Sequence, residues 1–472
     1  MMERAFSLIS LVLIGTGLIS PTLDYTIFKK ERLVSPYLTL GGLGFSGIIL
    51  GVLAVWSYGR GSVSIYGGML QIEPFGIFLS FVATIGAILL TVATLSEVKN
   101  WSTSPSLYSL VTLGVLGSYF LVSVGDLTLL IAAWALVSVI SYVIVGLRKD
   151  RASVEAAGKY ALMGVIASIF ILYAVAMVYG MTGSTSLRSI SDLATGEGAL
   201  IIMSSVFFIS AFGFKIGLVP FHGWLPDVYG KAHPILIVFL TSTATVAVVG
   251  LIVRVLFTLA PLITSYWPIL IGLISVFTMT FGNVTALIQN NVQKMMAFSS
   301  IAQMGYIFAG MAAGPLVAGG LTLQGIALHL GSYSFAKAGV FVFLAYLLKK
   351  GLSLQISDLK GLGKSMPITA TAFGIILLNL VGIPPLLGFW SKFYLFSAAA
   401  KITPWLTLIA IINSGISVGY YVRPIKSMFF EEGSDLSDER IGDFEQATVI
   451  AASFLLVSGG LVLPSLISIL IP

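Results

Sequence analysis

The sequence predicts an all-α polytopic membrane protein of about 14 transmembrane helices, with two inverted five-helix repeats that contain broken helices 7 and 12. Three observations predict it. Of 472 residues, 57% are hydrophobic and 9% are charged, and the mean hydropathy is +1.02. An ordinary soluble domain carries roughly 25% charge. A soluble fold keeps too much surface in water to hide this apolar excess, so the excess faces lipid. Second, hydrophobic runs of about 20 residues recur along the chain, each long enough to cross a bilayer as a helix. Third, the basic residues alternate sides as a multi-span topology requires.

The runs fall at 5–21, 37–58, 73–95, 105–123, 126–146, 156–180, 199–218, 234–258, 267–288, 293–313, 319–348, 367–396, 404–430 and 446–470. The first follows Met1-Met2-Glu3-Arg4 and is read as a retained helix rather than a signal peptide, because so many spans follow it. No loop has room for a soluble domain. The longest polar stretch, Glu431 to Glu445, is a short acidic connector.

Placing the N-terminus outside puts 16 of the 25 basic residues in inside loops. These include Lys29, Lys30, Arg32, Lys99 and Arg440. Only Arg4, Arg60, Arg188 and Lys401 lie outside. That bias sets both termini outside, and a cell membrane is the expected location. Lys159, Lys215, Arg254, Lys337 and Lys392 remain, within or at the edges of spans. A charge at the bilayer centre costs at least ~2.5–3.5 kcal/mol, so these positions mark either ion transfer or side chains that snorkel to the interface. Arg254 and Lys159 are the candidates for snorkelling. Lys215, Lys337 and Lys392 are the candidates for proton transfer. No acidic residue lies deep in a span.

The seventh run ends in Phe212-Gly-Phe-Lys215-Ile-Gly-Leu-Val-Pro220-Phe-His222-Gly-Trp-Leu-Pro-Asp227. Lys between glycines and ahead of proline predicts a helix that breaks inside the membrane, where freed carbonyls must line a polar cavity. An ammonium in such a cavity can exchange its proton near neutral pH. The structural alternative is an ammonium fixed on a carbonyl. The twelfth run repeats the pattern as Gly382-Ile-Pro-Pro-Leu-Leu-Gly-Phe-Trp-Ser-Lys392. Five spans separate the two breaks, and an odd offset inverts the second copy. The predicted organisation is therefore residues 1–104 as three N-terminal helices, 105–258 and 259–430 as the inverted repeats, and 431–472 as connector and last helix. The eleventh run places His329, Tyr333 and Lys337 at i, i+4 and i+8 on one face. His and Lys there suit a proton relay, and a polar stripe gluing helices is the alternative.

Phe214 through Asp227 resembles the seventh-helix motif of the antiporter-like subunits of respiratory complex I. Asn283 to Tyr306, with Ala297-Phe-Ser-Ser-Ile-Ala-Gln-Met-Gly-Tyr306, is similar to the most recognisable block of that superfamily, and Gly382 through Lys392 to its twelfth-helix motif. Glu155 to Tyr160 and Thr182 to Ser186 look like subunit N, while the His329 stripe resembles subunits L and M and Mrp-type antiporters. The resemblance implies a proton-translocating subunit in a complex I-like NADH/quinone oxidoreductase, a translocase with no redox centre in this chain. It implies proton transfer at Lys215, Lys392, Lys337, His329 and the sixth-helix Lys159. It also implies partners: other membrane subunits and a peripheral redox arm that carries flavin, iron–sulfur clusters and quinone. The chain itself has no cysteine and three histidines, so it offers no iron–sulfur ligands, no thiol nucleophile and no His-rich metal site.

Two positions depart from the family. Ala135 stands where the fifth helix carries the Glu that pairs with the seventh-helix Lys, and Thr245 stands in place of an eighth-helix Lys. The His329 stripe leaves open a subunit of an Mrp-type cation/proton antiporter, against which the lack of an intramembrane carboxylate counts, and the missing Glu leaves open a non-pumping spacer in a membrane-bound hydrogenase-type complex.

Overall fold

The computed structural model describes residues 2–27, 34–59, 61–98, 101–193, 199–264, 266–314, 320–433 and 443–471. Lys29, Lys30, Arg32, Arg60, Lys99 and Arg440, used in the charge count, lie outside these, as does most of the acidic connector. Helices α1 (Met2–Thr26) and α2 (Val34–Ser57) lead to a small hairpin, β1 (Val63–Ile65) with β2 (Leu70–Ile72). Then come α3 (Pro74–Glu97), α4 (Ser104–Val122), α5 (Leu127–Gly146), α6 (Arg151–Thr182) and the short α7 (Leu187–Leu193). The seventh predicted span is α8 (Ala199–Ile216), followed by α9 (Trp224–Lys231). The next is α10 (Pro234–Phe239), a π-helical turn over Leu240–Ala244, and α11 (Thr245–Leu259). The rest are α12 (Trp267–Leu287), α13 (Val292–Ala313), α14 (Leu321–Lys349), α15 (Leu362–Ser365), α16 (Pro367–Val381), α17 (Leu387–Ile402), α18 (Pro404–Phe430) and α19 (Phe444–Leu470).

Among the described residues, 12 helices are long and apolar enough to cross a membrane. Two shorter apolar helices, Leu200–Ile216 and Pro367–Val381, occupy the runs predicted to break. Local chemistry sets the ends. Proline opens α3, α4, α10, α12, α16 and α18, where its missing N–H is not needed. Asp126, Asp150 and Asn291 accept bonds from the first-turn amides of α5, α6 and α13. Gly183, at φ 65°, closes α6.

Helix α14 is buried along its whole length from Thr322 to Leu347, save for Leu323, and packs against α3, α10, α16, α17 and α19. A helix apolar all round belongs at the centre, and here it carries its few polar groups inward. The outer helices α1, α2, α6, α18 and α19 instead expose rows of Leu, Ile, Val and Phe, as lipid-facing surfaces do.

The hairpin lies where hydropathy marks only a connection. Gln71 N–H donates to the Ser123 carbonyl at 2.8 Å, and Gly125 N–H to the Met69 carbonyl at 2.8 Å. Arg254 ties this end to α11. Its guanidinium meets Glu73 at 2.6 Å and donates to the Val122 carbonyl at 3.0 Å, with 8% of the side chain exposed. In place of the expected snorkelling, Arg254 forms a half-buried ion pair. A rigid fork of donors can satisfy a carboxylate and several carbonyls at once.

Asp126 joins the same end to the loop after α6, accepting from Thr128 N at 2.8 Å, Thr128 Oγ1 at 2.6 Å and Thr185 Oγ1 at 2.7 Å. Partial burial raises its pKa, but these bonds outweigh it and hold the carboxyl below its usual value. The contribution is present above the unfolded carboxylate range and is lost as pH falls through the folded value. The gap in melting temperature between the protein and Asp126→Asn is expected to narrow between about pH 5 and pH 3. A gap constant over that range in detergent would refute the assignment.

Candidate functional site

The breaks come first, because they place the lysines. Helix α8 stops at Ile216, and Gly217 turns the chain with φ 75°. The groups freed there find partners. Trp224 Nε1 donates to the Phe214 carbonyl at 2.6 Å, and Val219 N–H donates to Thr278 Oγ1 at 3.2 Å. Lys215, on the last turn of α8, is 7% exposed. Its Nζ donates to Ser138 Oγ of α5 at 3.0 Å. It also sits over the rings of Tyr160 at 5.0 Å, Tyr142 at 4.9 Å and Trp134 at 5.7 Å. An aromatic cage and one hydroxyl thus hold this ammonium.

Ser138 lies one turn along α5 from Ala135, the position expected to have lost its Glu. Ala135 itself is exposed on the outer surface of the chain. Ala135→Glu is expected to insert and assemble, with its carboxylate a turn from the Lys215 cage. Loss of the chain from the membrane fraction in that variant would refute this placement.

At the second break, α16 ends at Val381 and α17 begins at Leu387. Lys392 of α17 is 5% exposed. Its Nζ donates to the carbonyls of Leu380 at 3.1 Å and Val381 at 2.8 Å, and to Ser414 Oγ at 3.0 Å. The Tyr306 ring lies 4.8 Å away. The carbonyls left over at the end of α16 are what this ammonium binds. Gly388 N–H is held by Asn379 Oδ1 at 2.8 Å, and Asn379 Nδ2 donates to Ser332 Oγ at 2.8 Å.

Lys337 lies between the breaks on α14 and is fully buried. Its Nζ donates to the Met296 carbonyl and to Ser299 Oγ, both at 2.8 Å. From Ser299 the path continues. Ser299 Oγ bonds the Tyr421 hydroxyl, to which Gln303 Nε2 donates at 3.2 Å. Gln303 Nε2 also reaches the Leu380 carbonyl at 3.3 Å, an acceptor shared with Lys392. Lys337 and Lys392 are therefore linked by one hydrogen-bonded path through Ser299, Tyr421 and Gln303. His329 joins at the Lys392 end. Its Nδ1 lies 3.1 Å from Ser391 Oγ, and its Nε2 is buried without a partner among the described residues. On the other side, Thr245 stands beside Tyr229 and Tyr333, between Lys215 and Lys337.

Lys159 is not brought into this line. It is 41% exposed on α6 and pairs with Asp227 at 2.7 Å and Glu155 at 3.3 Å, while Glu155 also meets Lys231 at 2.5 Å. The three buried lysines differ in kind, since none has a carboxylate within ion-pair distance among the described residues. Buried ammoniums without counter-charges cannot all stay ionised cheaply, so a proton on one disfavours a proton on its neighbours. A cavity of about 960 Å³ among α2, α3, α14 and α19 is mostly apolar, and none of the three lysines lines it.

Ser138, Tyr142, Ser299, Tyr421 and Ser414 were not singled out from the sequence. Ser and Tyr are common in membrane helices, and only the tertiary fold shows which of them meet a lysine. Ser299 and Gln303 did lie in a recognisable block, but Tyr421 and Leu380, which they meet, did not.

The chain is similar to known proteins over most of its length. Residues 124–417 match the family described as NADH:quinone oxidoreductase/Mrp antiporter, TM. The chain is 31% identical to NADH-quinone oxidoreductase subunit N 2 of Chloroherpeton thalassium, over 95% of this chain and 90% of that protein. It is 32% identical to F(420)H(2) dehydrogenase subunit N of Methanosarcina mazei, over 97% and 96%. Among solved structures it resembles a chain of respiratory complex I from Thermus thermophilus, with TM-score 0.81, 26% identity, and 97% and 98% coverage.

Proposed function

We propose, from the premise that this chain belongs to the NADH:quinone oxidoreductase/Mrp antiporter transmembrane family, that it is the antiporter-like, proton-translocating membrane subunit of a complex I-like oxidoreductase. The single observation that carries the mechanism is the line of three buried lysines held only by hydroxyls, carbonyls and rings. Such a line stores and passes protons but no electrons. Lys215 takes the proton in the first half of the channel. Lys337 receives it past the Tyr229, Thr245 and Tyr333 hydroxyls. Ser299 and Tyr421 carry it toward Lys392; Gln303 only donates and holds Tyr421 beside the Leu380 carbonyl, so water completes the transfer to Lys392, beside which His329 stands as a further acceptor. Protonating one lysine lowers its neighbour's hold on a proton, so occupancy alternates along the line. A conformational change imposed by partner subunits would drive the alternation.

The 12 long helices and the two shorter apolar ones support 14 crossings, an even number that leaves both termini on one side, and the charge bias along the sequence favours the outside of a cell membrane. The matching breaks, each with a buried Lys, support inverted repeats at 105–258 and 259–430. Lys159, paired with Asp227 and Glu155 and next in sequence to Tyr160 of the Lys215 cage, is a further candidate for proton transfer toward that end of the line. Flavin, iron–sulfur clusters and quinone belong to those partners and the peripheral arm. The two subunit N relatives differ by name in their electron donor, so the family alone does not choose it.

A second reading, an Mrp-type cation/proton antiporter subunit, draws on the His329–Tyr333–Lys337 stripe and on the breadth of the matched family. One experiment separates them. The chain is extracted in mild detergent, the intact assembly is weighed by mass spectrometry, and iron and flavin are assayed. Partners with iron–sulfur clusters are expected. An iron-free assembly of antiporter subunits would overturn the first reading in favour of the second.

A further inference from the structure

Away from the lysine line, the ends of five elements meet around a second buried titratable group. Glu97 is the last residue of α3, and His233 immediately precedes α10. Glu97 Oε1 lies 3.4 Å from His233 Nε2, with the side chains 10% and 4% exposed. Trp101 covers the imidazole edge-on at 5.3 Å. The second nitrogen, Nδ1, is buried with no hydrogen-bond partner among the described residues. A donor or acceptor left dry in this way is costly, so a water or an exchanging proton must meet it.

The charges around the pair are already committed. Lys349, at the end of α14, lies 3.1 Å from Glu445 Oε1 and 3.1 Å from Asp443 Oδ1 at the start of α19. Glu445 is fully buried and also accepts from Ser96 Oγ at 2.7 Å. Lys350 reaches the other oxygen of Asp443 at 3.6 Å. Arg148, between α5 and α6, is paired with Asp150 at 3.0 Å. Glu445, Lys349 and Arg148 all act on Glu97, and Arg148 and Asp150 act on His233. Among the described residues this leaves Glu97 with His233 as its facing partner and with Glu445 as a like charge nearby. Among the described residues four carboxylates, Glu97, Glu445, Asp443 and Asp150, thus face three basic groups, Lys349, Lys350 and Arg148, and a proton on the pair supplies the missing charge.

We propose that Glu97 and His233 hold one exchangeable proton between them and form the acceptor through which protons from the inner side enter the lysine line. The proposal rests on the translocation reading and its orientation. Burial draws the His233 imidazole down to about 4, with the Arg148 charge acting the same way and Asp150 against it. A neutral imidazole can take a proton on one nitrogen while releasing one from the other. The proton arrives on the Glu97 carboxylate. The Glu97 O–H bond then breaks as His233 Nε2–H forms, and Nδ1–H breaks to a water beyond. No electrons are exchanged, and reversal of the tautomer resets the pair. The direction of travel follows from the next residues. Gln293 Nε2 donates to the carbonyls of Ala232 at 2.8 Å and of Tyr229, tying the His233 turn to the Tyr229–Thr245 end of the lysine line.

The test uses the intact complex with its partner subunits. Infrared difference spectra between acid and alkaline pH are expected to show a buried protonated carboxyl band. That band should vanish in Glu97→Gln, persist in Glu97→Asp and move in His233→Asn. Proton pumping into proteoliposomes should fall severely in Glu97→Gln and His233→Asn and recover in Glu97→Asp. An unchanged band in both Glu97→Gln and His233→Asn overturns the shared proton. A lost band with full pumping overturns the entry role. Should Glu97→Gln not assemble, the band shift in His233→Asn decides the shared proton, and its pumping decides the entry role. Lys215→Ala measured in parallel separates the readings. If it abolishes pumping while the Glu97 and His233 variants do not, only the entry site falls. If it too leaves pumping intact, the translocation reading falls with it.

Discussion

Replacing Lys337 by methionine is expected to stop proton flux through this subunit without weakening its fold. The Lys337 ammonium is fully buried and is met by one carbonyl and one hydroxyl. Exchanging a buried charge for an apolar side chain of similar length is often neutral or stabilising, because the desolvation cost disappears with the charge. A structural ammonium and a functional one therefore give opposite signatures. If Lys337 serves to glue α14 to α13, methionine lowers the melting temperature and leaves pumping in the surviving complex. If it relays protons, the melting temperature holds or rises and pumping falls. The loss of one positioned proton-transfer group typically costs about 10²–10⁴-fold in the step it serves. Lys215→Ala and Lys392→Ala should lower pumping in the same way while assembly persists. The measurement is proton uptake into proteoliposomes beside electron transfer by the same sample. Unchanged pumping in all three variants would remove the lysine line from the mechanism.

The second large effect is structural. Helices α12 and α13 cross at two glycines, and neither position has room for a methyl group. A Cβ on Gly305 would lie 2.6 Å from the Met279 backbone nitrogen and 2.8 Å from its Cα. One on Gly282 would lie 2.6 Å from the Ala302 nitrogen and 2.9 Å from the Phe298 carbonyl oxygen. Backbone cannot turn aside as a flexible side chain can, so Gly305→Ala must push the helices apart. Overpacking of this kind costs about 1–3 kcal/mol, and more where nothing yields. Two polar contacts span the same crossing, Ser275 Oγ to the Gly305 carbonyl at 2.7 Å and Asn283 Nδ2 to the Tyr306 hydroxyl at 2.9 Å. Both weaken as the helices separate. Gly158→Ala on α6 is the control, since its added Cβ meets nothing within 4 Å. Thermal unfolding in detergent should show a clear loss for Gly305→Ala and none for Gly158→Ala. Equal melting temperatures would refute the tight crossing.

Both predictions concern places that the sequence marks unequally. Lys337 is visible at once, because a basic residue inside an apolar run is costly and rare. Gly305 is one of 50 glycines, and nothing local separates it from Gly158. The helix ends beside Lys215 and ahead of Lys392 were legible as well. Glycine and proline beside a charge leave few backbone conformations open. The hairpin at residues 63–72 was not legible, since short strands leave little hydropathy signal. Arg254 was visible as an intramembrane charge, yet its partner Glu73 lies 181 residues away and could not be named.

By itself, then, the sequence determined the helices, their approximate ends, the family, and which lysines lie in apolar surroundings. Those features follow from local constraints: the length of an apolar run, a proline without a donor, a charge without water. Tertiary structure alone decided what each charge meets. It placed Ser138 rather than Ala135 beside Lys215, joined Lys337 to Lys392 through Tyr421 and Gln303, left Lys159 in surface ion pairs, and brought Glu97 against His233. These contacts join residues far apart along the chain, and a hydrogen bond depends on a few tenths of an ångström that only the packing of whole helices can set.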